Sequence, residues 1–195
     1  MTKHVVKNLH MSHVGIHVHD MDKELKFYTE VMGFHQMDFG TIYHPSLGES
    51  TVAFLSRDPA EHHQLALFSG RPETVNFNVV QQISMNAGSL QNVRDIASYA
   101  LKNGASQPMP MSHGHTISCY ILDPEGNRLE IYFDLDWYAP QPYVTFIPDF
   151  FDVEEKELIA RVYAEASQKK GFVEPKAKYT KMMEEAMGIK SEETK

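Results

Sequence analysis

The sequence predicts an α+β fold. Two tandem βαβββ modules would form one curved eight-stranded sheet around a cavity, followed by a helical C-terminal extension. Three observations carry this. The same order of elements is legible twice, over 10–70 and 79–134, at an offset of roughly seventy residues. The strand candidates alternate apolar and polar residues, so each offers one face for burial. Each helix candidate carries a single apolar stripe, which places it outside the sheet.

The first strand is "SHVGIHVHD". It puts His13, Gly15, His17 and His19 on one side and Val14, Ile16 and Val18 on the other. Asp20 is a good N-cap for a helix through "MDKELKFYTEVM", where Leu25, Tyr28 and Met32 recur at helical spacing and Gly33 ends the run. Strands "FHQMDFG", "STVAFLSRD" and "HHQLALFSG" follow, with "TIYHPSLGE" as a loop. The second module opens with "VVQQISMNAG", residues 79–88. Ser89 caps a helix whose stripe is Val93, Ile96, Ala97, Ala100 and Leu101, and Asn103-Gly104 closes it. Strands "SQPMPMS", "TISCYILD" and "NRLEIYFD" complete the module.

The last of these strands raises a chemical question. Glu130 stands between Leu129 and Ile131, just after the turn Asp123-Pro124-Glu125-Gly126. An unpaired buried carboxylate needs a cation, a metal or a water-filled cavity beside it. Repeat positions supply company: His13 corresponds to Gln82, and His63 is aligned with Glu130. Pseudo-twofold symmetry would gather the four in the cavity.

Composition narrows the function classes. The 195 residues hold 18 basic and 26 acidic side chains, a formal charge of −8, which argues against nucleic acid as a partner. No apolar run approaches a membrane span, and the first twenty residues show no apolar core of a secretory signal. Cys119 is the single cysteine, which excludes an intrachain disulfide and points to the cytoplasm. Neither a Gly-rich phosphate loop nor a serine nucleophile elbow is present. Eleven histidines stand out, because imidazole is the commonest metal ligand and a near-neutral acid–base group.

The paired modules, the opening "HVGIHVHDMDKELKFYTEVMGF" and the closing "DPEGNRLEIY" resemble the vicinal oxygen chelate superfamily. It includes glyoxalase I, extradiol dioxygenases, fosfomycin-resistance enzymes and bleomycin-binding proteins. The resemblance covers about residues 10–142, so residues 8–142 are expected to be one such domain and 143–195 an extension. "EHHQLALF", the segment "SHGH", Tyr120 ten residues before Glu130, and "DWYAPQPY" are most similar to single-domain extradiol dioxygenases.

That resemblance implies an Fe(II) enzyme cleaving a catechol-like aromatic diol with dioxygen; Mn, Ni or Zn are other metals the scaffold accepts. Its ligands would be a histidine on the first strand, one on the fifth and a glutamate on the eighth, an open facial triad. His13 and Glu130 match, whereas Gln82 stands at the fifth-strand position. Gln82 would bind through its amide oxygen, or His63 would replace it as ligand, or the protein binds a small molecule without metal. A glyoxalase- or epimerase-like Lewis acid enzyme is a further alternative. Where His63 is not a ligand, the resemblance makes it the acid–base group. Tyr120 would bond the ionised substrate oxygen, and either His115 or His113 would stabilise the oxygen adduct. His17 and His19 lie about 6–7 Å apart along the strand, too far to share one ion with His13.

In the extension, Asp152 is positioned to cap a helix spanning 153–170, with Leu158, Ile159, Val162, Tyr163 and Ala166 on one face. A weaker helix runs through "KYTKMMEEAMGI", and the end "KSEETK" is expected to be disordered. An amphipathic helix must bury its stripe on its own domain or on a neighbouring subunit. The resemblance, whose small members are commonly dimers, implies a homo-oligomer, namely a dimer.

Overall fold

A computed structural model describes residues 10–44, 48–75 and 77–188. The βαβββ order appears twice, and the chain divides into two units. The first comprises residues through Gln81 together with the turn Asp123–Asn127; the second holds the remainder.

In the first unit, β1 (Val14–Val18) buries Ile16 and Val18 and turns Gly15, His17 and His19 outward, as the alternation predicts. Gly15 has a packing reason: a Cβ there would lie 3.0 Å from the Phe68 ring. Asp20 caps α1 (Met21–Lys26), accepting from the Lys23 backbone N–H at 3.0 Å. The helix does not continue as one α-helix to Met32. It widens into a π-helical turn over Phe27–Val31, which buries Phe27 and Tyr28 side by side. Leu25 is half-buried, and Glu24, on the helical face of Phe27 and Tyr28, is fully buried.

Strands β2 (His35–His44), β3 (Gly48–Ser56) and β4 (Leu65–Ser69) complete a sheet ordered β1-β4-β3-β2. Only β1 and β4 run parallel. The predicted loop "TIYHPSLGE" is largely strand, because β2 and β3 stay paired to His44 and Gly48.

The second unit contains β5 (Ile83–Asn86), α2 (Leu90–Lys102), β6 (Ser106–Ser112), β7 (Thr116–Leu122) and β8 (Arg128–Asp134). Ser89 caps α2, whose buried face is Leu90, Val93, Ala97 and Ala100. β5 starts at Ile83 rather than at Val79; Val79 is exposed. A short strand not anticipated from the sequence, β9 (Thr145–Phe146), pairs with β6. The sheet order is β5-β8-β7-β6-β9, with β5 and β8 parallel. Hydrogen bonding thus gives two mixed sheets, of four and five strands, rather than a single eight-stranded one.

The extension forms α3 (Glu155–Ala166) and α4 (Lys176–Met187). α3 is shorter than the predicted 153–170, and its N-cap is Glu154, not Asp152. Asp152 instead closes a turn, its N–H donating to the Asp149 carbonyl. Leu158, Val162 and Ala166 are buried, while α4 buries no residue. The stretch "KSEETK" lies outside the described residues.

One polar node of the first unit has unusual electrostatics. Asp123 accepts from the Tyr28 hydroxyl at 3.0 Å and from Asn127 N and Nδ2 at 2.7 Å each. Glu125 receives the N–H groups of His19 and Asp20 and lies 3.8 Å from the buried Arg71 guanidinium. Glu24 is 0 % exposed, and among the described residues neither of its carboxyl oxygens has a donor. Burial first, and then the neighbouring Asp123 carboxylate, push its pKa up to about 9. Glu24 is therefore held as a neutral acid at pH 7.

Candidate active site

The question posed by Glu130 has a structural answer within the second unit. The side chain is buried, at 7 % exposure, and is held by hydrogen-bond donors. Strand register brings them there. Tyr120 on β7 and Ser84 on β5 are the direct cross-strand partners of Glu130 on β8. Ser118 follows two residues from Tyr120 on the same face. Oε1 accepts from the Tyr120 hydroxyl at 2.7 Å and from Ser118 Oγ at 2.8 Å. Oε2 accepts from Ser84 Oγ at 2.5 Å and from Gln82 Nε2 at 2.7 Å. With every lone-pair direction engaged, the burial cost of the carboxylate is offset by donors.

Behind Tyr120 stands a histidine. His113 Nε2 lies 3.0 Å from the Tyr120 hydroxyl and 3.7 Å from Glu130 Oε1. Its Nδ1 lies 2.9 Å from the Tyr143 carbonyl oxygen, which can only accept, so Nδ1 carries a proton. Tyr120 has one hydroxyl proton and two neighbours. Both contacts are hydrogen bonds only when the trio holds one proton more than a neutral imidazole, a phenol and a carboxylate contain. That proton belongs on His113 Nε2 or, after a shift through the Tyr120 oxygen, on Glu130. Burial, and next the bond to Glu130, hold the Tyr120 phenol well above its ordinary range.

His115 has different surroundings. Its ring stacks on Tyr138 with centroids 5.7 Å apart, and Gln141 Nε2 lies 3.1 Å from its Nδ1. Burial lowers its pKa below the usual imidazole value. His113, not His115, is the residue of the pair that reaches Tyr120 and Glu130.

In the first unit, His13 and His63 come together, with ring centroids 4.1 Å apart. His13 Nδ1 is 2.8 Å from Ser12 Oγ. His63 Nδ1 is 2.9 Å from His62 Nδ1, and His62 Nε2 is 2.7 Å from Asp38 Oδ2. Phe54 packs against His63 at 4.9 Å. Burial, followed by the adjoining His13 and His62, lowers the pKa of His63.

Strand register corrects one part of the repeat alignment. His13 and Gln82 each stand one residue before their strands, β1 and β5, as the repeat requires. Val14 then pairs with Leu65, and Ile83 with Leu129, so the counterpart of Glu130 is Ala66. His63 precedes β4 and has no register equivalence to Glu130. The apolar run Leu65–Leu67 is what fixes that pairing, and sequence alone does not show its phase.

By residue type, an imidazole, an amide oxygen and a carboxylate suit a divalent ion. Gln82 now gives Glu130 its amide nitrogen, so binding through its oxygen requires the amide to turn over, and Glu130 loses one donor. Among the described residues, no group of three or more His, Cys, Asp or Glu side chains is already gathered around a metal position. Gln82 and Glu130, brought together within the second unit, are side chains of types that suit such an ion.

Residues 10–131 match the model of the glyoxalase/bleomycin resistance protein/dioxygenase superfamily. The chain belongs to this superfamily. Among its relatives is a probable lactoylglutathione lyase from Synechocystis sp., 25% identical over 122 residues, covering 61% of this chain and 91% of the relative. Another is a biphenyl-2,3-diol 1,2-dioxygenase from Rhodococcus globerulus, 27% identical over 131 residues. That match covers 64% of this chain and 63% of the dioxygenase. A solved glyoxalase family protein from Bacillus cereus shares the fold, with a TM-score of 0.51, 21% identity and coverage of 69% of this chain and 99% of that one. Superfamily members of this kind bind divalent metals and small substrates, and most are enzymes. No helix among the described residues is long and apolar enough to cross a membrane.

Several site residues were partly legible beforehand. Ser118 follows from alternation about Tyr120, and Ser84 from alternation about Gln82. Gln141 and Tyr143 carry no pattern that marks them, because they act through one side-chain amide and one backbone carbonyl.

Proposed function

We propose that the protein is a metal-dependent, extradiol-type dioxygenase that opens a catechol-like aromatic diol with dioxygen. The observation that carries this reading is the buried Glu130 carboxylate bonded to the Tyr120 hydroxyl, with His113 Nε2 on the far side of that hydroxyl. Residues 8–142 would be the catalytic domain and 143–195 the extension. His13, Gln82 and Glu130 would hold Fe(II), with His63 as the alternative to Gln82 and Mn, Ni or Zn as other occupants. When bound, the ion supplies a template for two vicinal oxygens and takes up charge.

The chain's own residues do the proton work. A catechol must lose protons to chelate, and His63, as a neutral imidazole, accepts one. The Tyr120 hydroxyl turns from Glu130 to donate to the ionised substrate oxygen. His113 Nε2 then returns a proton through the Tyr120 oxygen, so phenolate never has to form. We assign this role to His113 in place of His115, because its ring is the one in contact with Tyr120. Ser84 and Ser118 keep the carboxylate oriented while its other lone pairs are used. We further infer a cytoplasmic homodimer.

A second reading has support of its own. The lactoylglutathione lyase relative is matched over nearly its whole length, and a glutamine ligand suits a Lewis acid isomerase or lyase. A metal-free, bleomycin-resistance-like binding protein is the third. Oxygen uptake with the Fe(II)-loaded protein and simple catechols separates them. Stoichiometric uptake with ring opening supports the dioxygenase, and turnover of a hemithioacetal without uptake replaces it with the second reading.

A further inference from the structure

We propose that the C-terminal extension is a working part of the site, and that Glu165 on α3 is a positioning residue that acts through Tyr143 on His113. The inference rests on the reading of Glu130, Tyr120 and His113 as the reactive centre.

The 113–115 segment is gripped from outside its own strands. The Tyr143 carbonyl accepts from His113 Nδ1 at 2.9 Å. Gln141 Nε2 donates to the His113 carbonyl at 2.7 Å, and Trp137 Nε1 to the Gly114 carbonyl at 2.6 Å. Contact is close enough to exclude a side chain at residue 114, where a Cβ would lie 2.7 Å from Ala139 Cβ and 3.3 Å from the Tyr143 ring. The gripping segment is anchored in turn. The Tyr143 hydroxyl donates to Glu165 Oε2 at 2.9 Å, Lys169 Nζ lies 5.2 Å over its ring, and Trp137 packs edge-on against Tyr163 at 5.0 Å. A carboxylate on α3 therefore fixes a tyrosine side chain, whose backbone carbonyl fixes the protonated nitrogen of His113. That in turn aims Nε2 at Tyr120. Without the Nδ1 bond the ring is free to rotate about its side-chain torsions, and the tautomer is no longer imposed.

The test is a histidine ring nitrogen NMR experiment on the full chain, reading the Nδ1 proton that the Tyr143 carbonyl should protect from exchange. His113→Gln identifies the signal by its loss. Glu165→Ala is expected to abolish the protected signal and to lower kcat on a catechol by about tenfold with KM little changed. Glu165→Gln, whose amide oxygen still accepts from Tyr143, should restore both. Should Glu165→Ala fail to fold, Tyr143→Phe removes the same bond from the other side and is read identically. A protected signal that survives in the folded variants overturns the proposal, as does a failure of Glu165→Gln to restore it. Because the signal needs no substrate, its response to Glu165 supports the clamp even where catechol turnover is nil, which would refute only the dioxygenase reading.

Discussion

Glu24→Gln should make the protein more stable at neutral and alkaline pH, an outcome opposite to that of most buried substitutions. Glu24 is fully buried, its oxygens have no donor among the described residues, and its pKa is raised from 4.5 to about 9 by burial and by Asp123. The sign follows from proton linkage. Between these values the folded state holds a proton that the unfolded chain has released. Stability is therefore complete below pH 4.5 and is lost progressively as pH rises to about 9. Each pH unit in that window costs about 1.4 kcal/mol, so the wild type should lose roughly 4 kcal/mol between pH 5 and pH 8 from this group alone. That is a large part of a typical folding free energy of about 5–15 kcal/mol. Glutamine is neutral at every pH, so the variant carries no such loss. Urea unfolding followed by circular dichroism at several pH values, wild type minus variant, cancels the titrations both proteins share. The difference should fall with a slope near one proton. Parallel stability curves from pH 5 to pH 8 would refute the claim that Glu24 is a buried neutral acid.

Further outcomes follow from local geometry. Gly114→Ala, at φ +77° and against Ala139, should destabilise the second unit by about 1–3 kcal/mol in thermal melts and remove the protected His113 proton. Asp20→Ala deletes the α1 cap and should cost about 1 kcal/mol by denaturant unfolding, with Asp20→Asn close to wild type. Tyr120→Phe should leave the fold within about 1.5 kcal/mol of wild type while lowering kcat by about a hundredfold in steady-state assays.

Much of the fold was legible because its signals are local. Asp20 and Ser89 announce their helices by the caps they form, and alternation around Ile16 and Val18 gives β1 its faces. Glu130 was conspicuous as a charge in an apolar strand; it is buried, and the donors that hold it are the hydroxyls of Tyr120, Ser118 and Ser84 and the Gln82 amide, which the strand alone did not announce. What remained hidden depends on registers and on distant segments. The pairing of Leu65 with Val14, which moves Ala66 into the place aligned with Glu130, is a matter of phase between two apolar runs. Glu24 shares the helical face of Phe27 and Tyr28, three and four residues on, but its charge marks it as a surface residue, and its burial beside Asp123 is a tertiary matter that no local pattern shows. The choice between His113 and His115 rests on a carbonyl some thirty residues away, and β9 on an edge pairing too short to have a pattern.

The central claim is that Glu130 belongs to a divalent-metal site, and an anaerobic titration of the metal-stripped protein tests it most directly. Fe(II), Mn(II), Ni(II) and Zn(II) would be added in turn and bound ion per chain measured for the wild type and Glu130→Gln. The account predicts close to one tightly bound ion per chain in the wild type, lost in the variant. Binding of none of the four, or binding indifferent to Glu130, would contradict it.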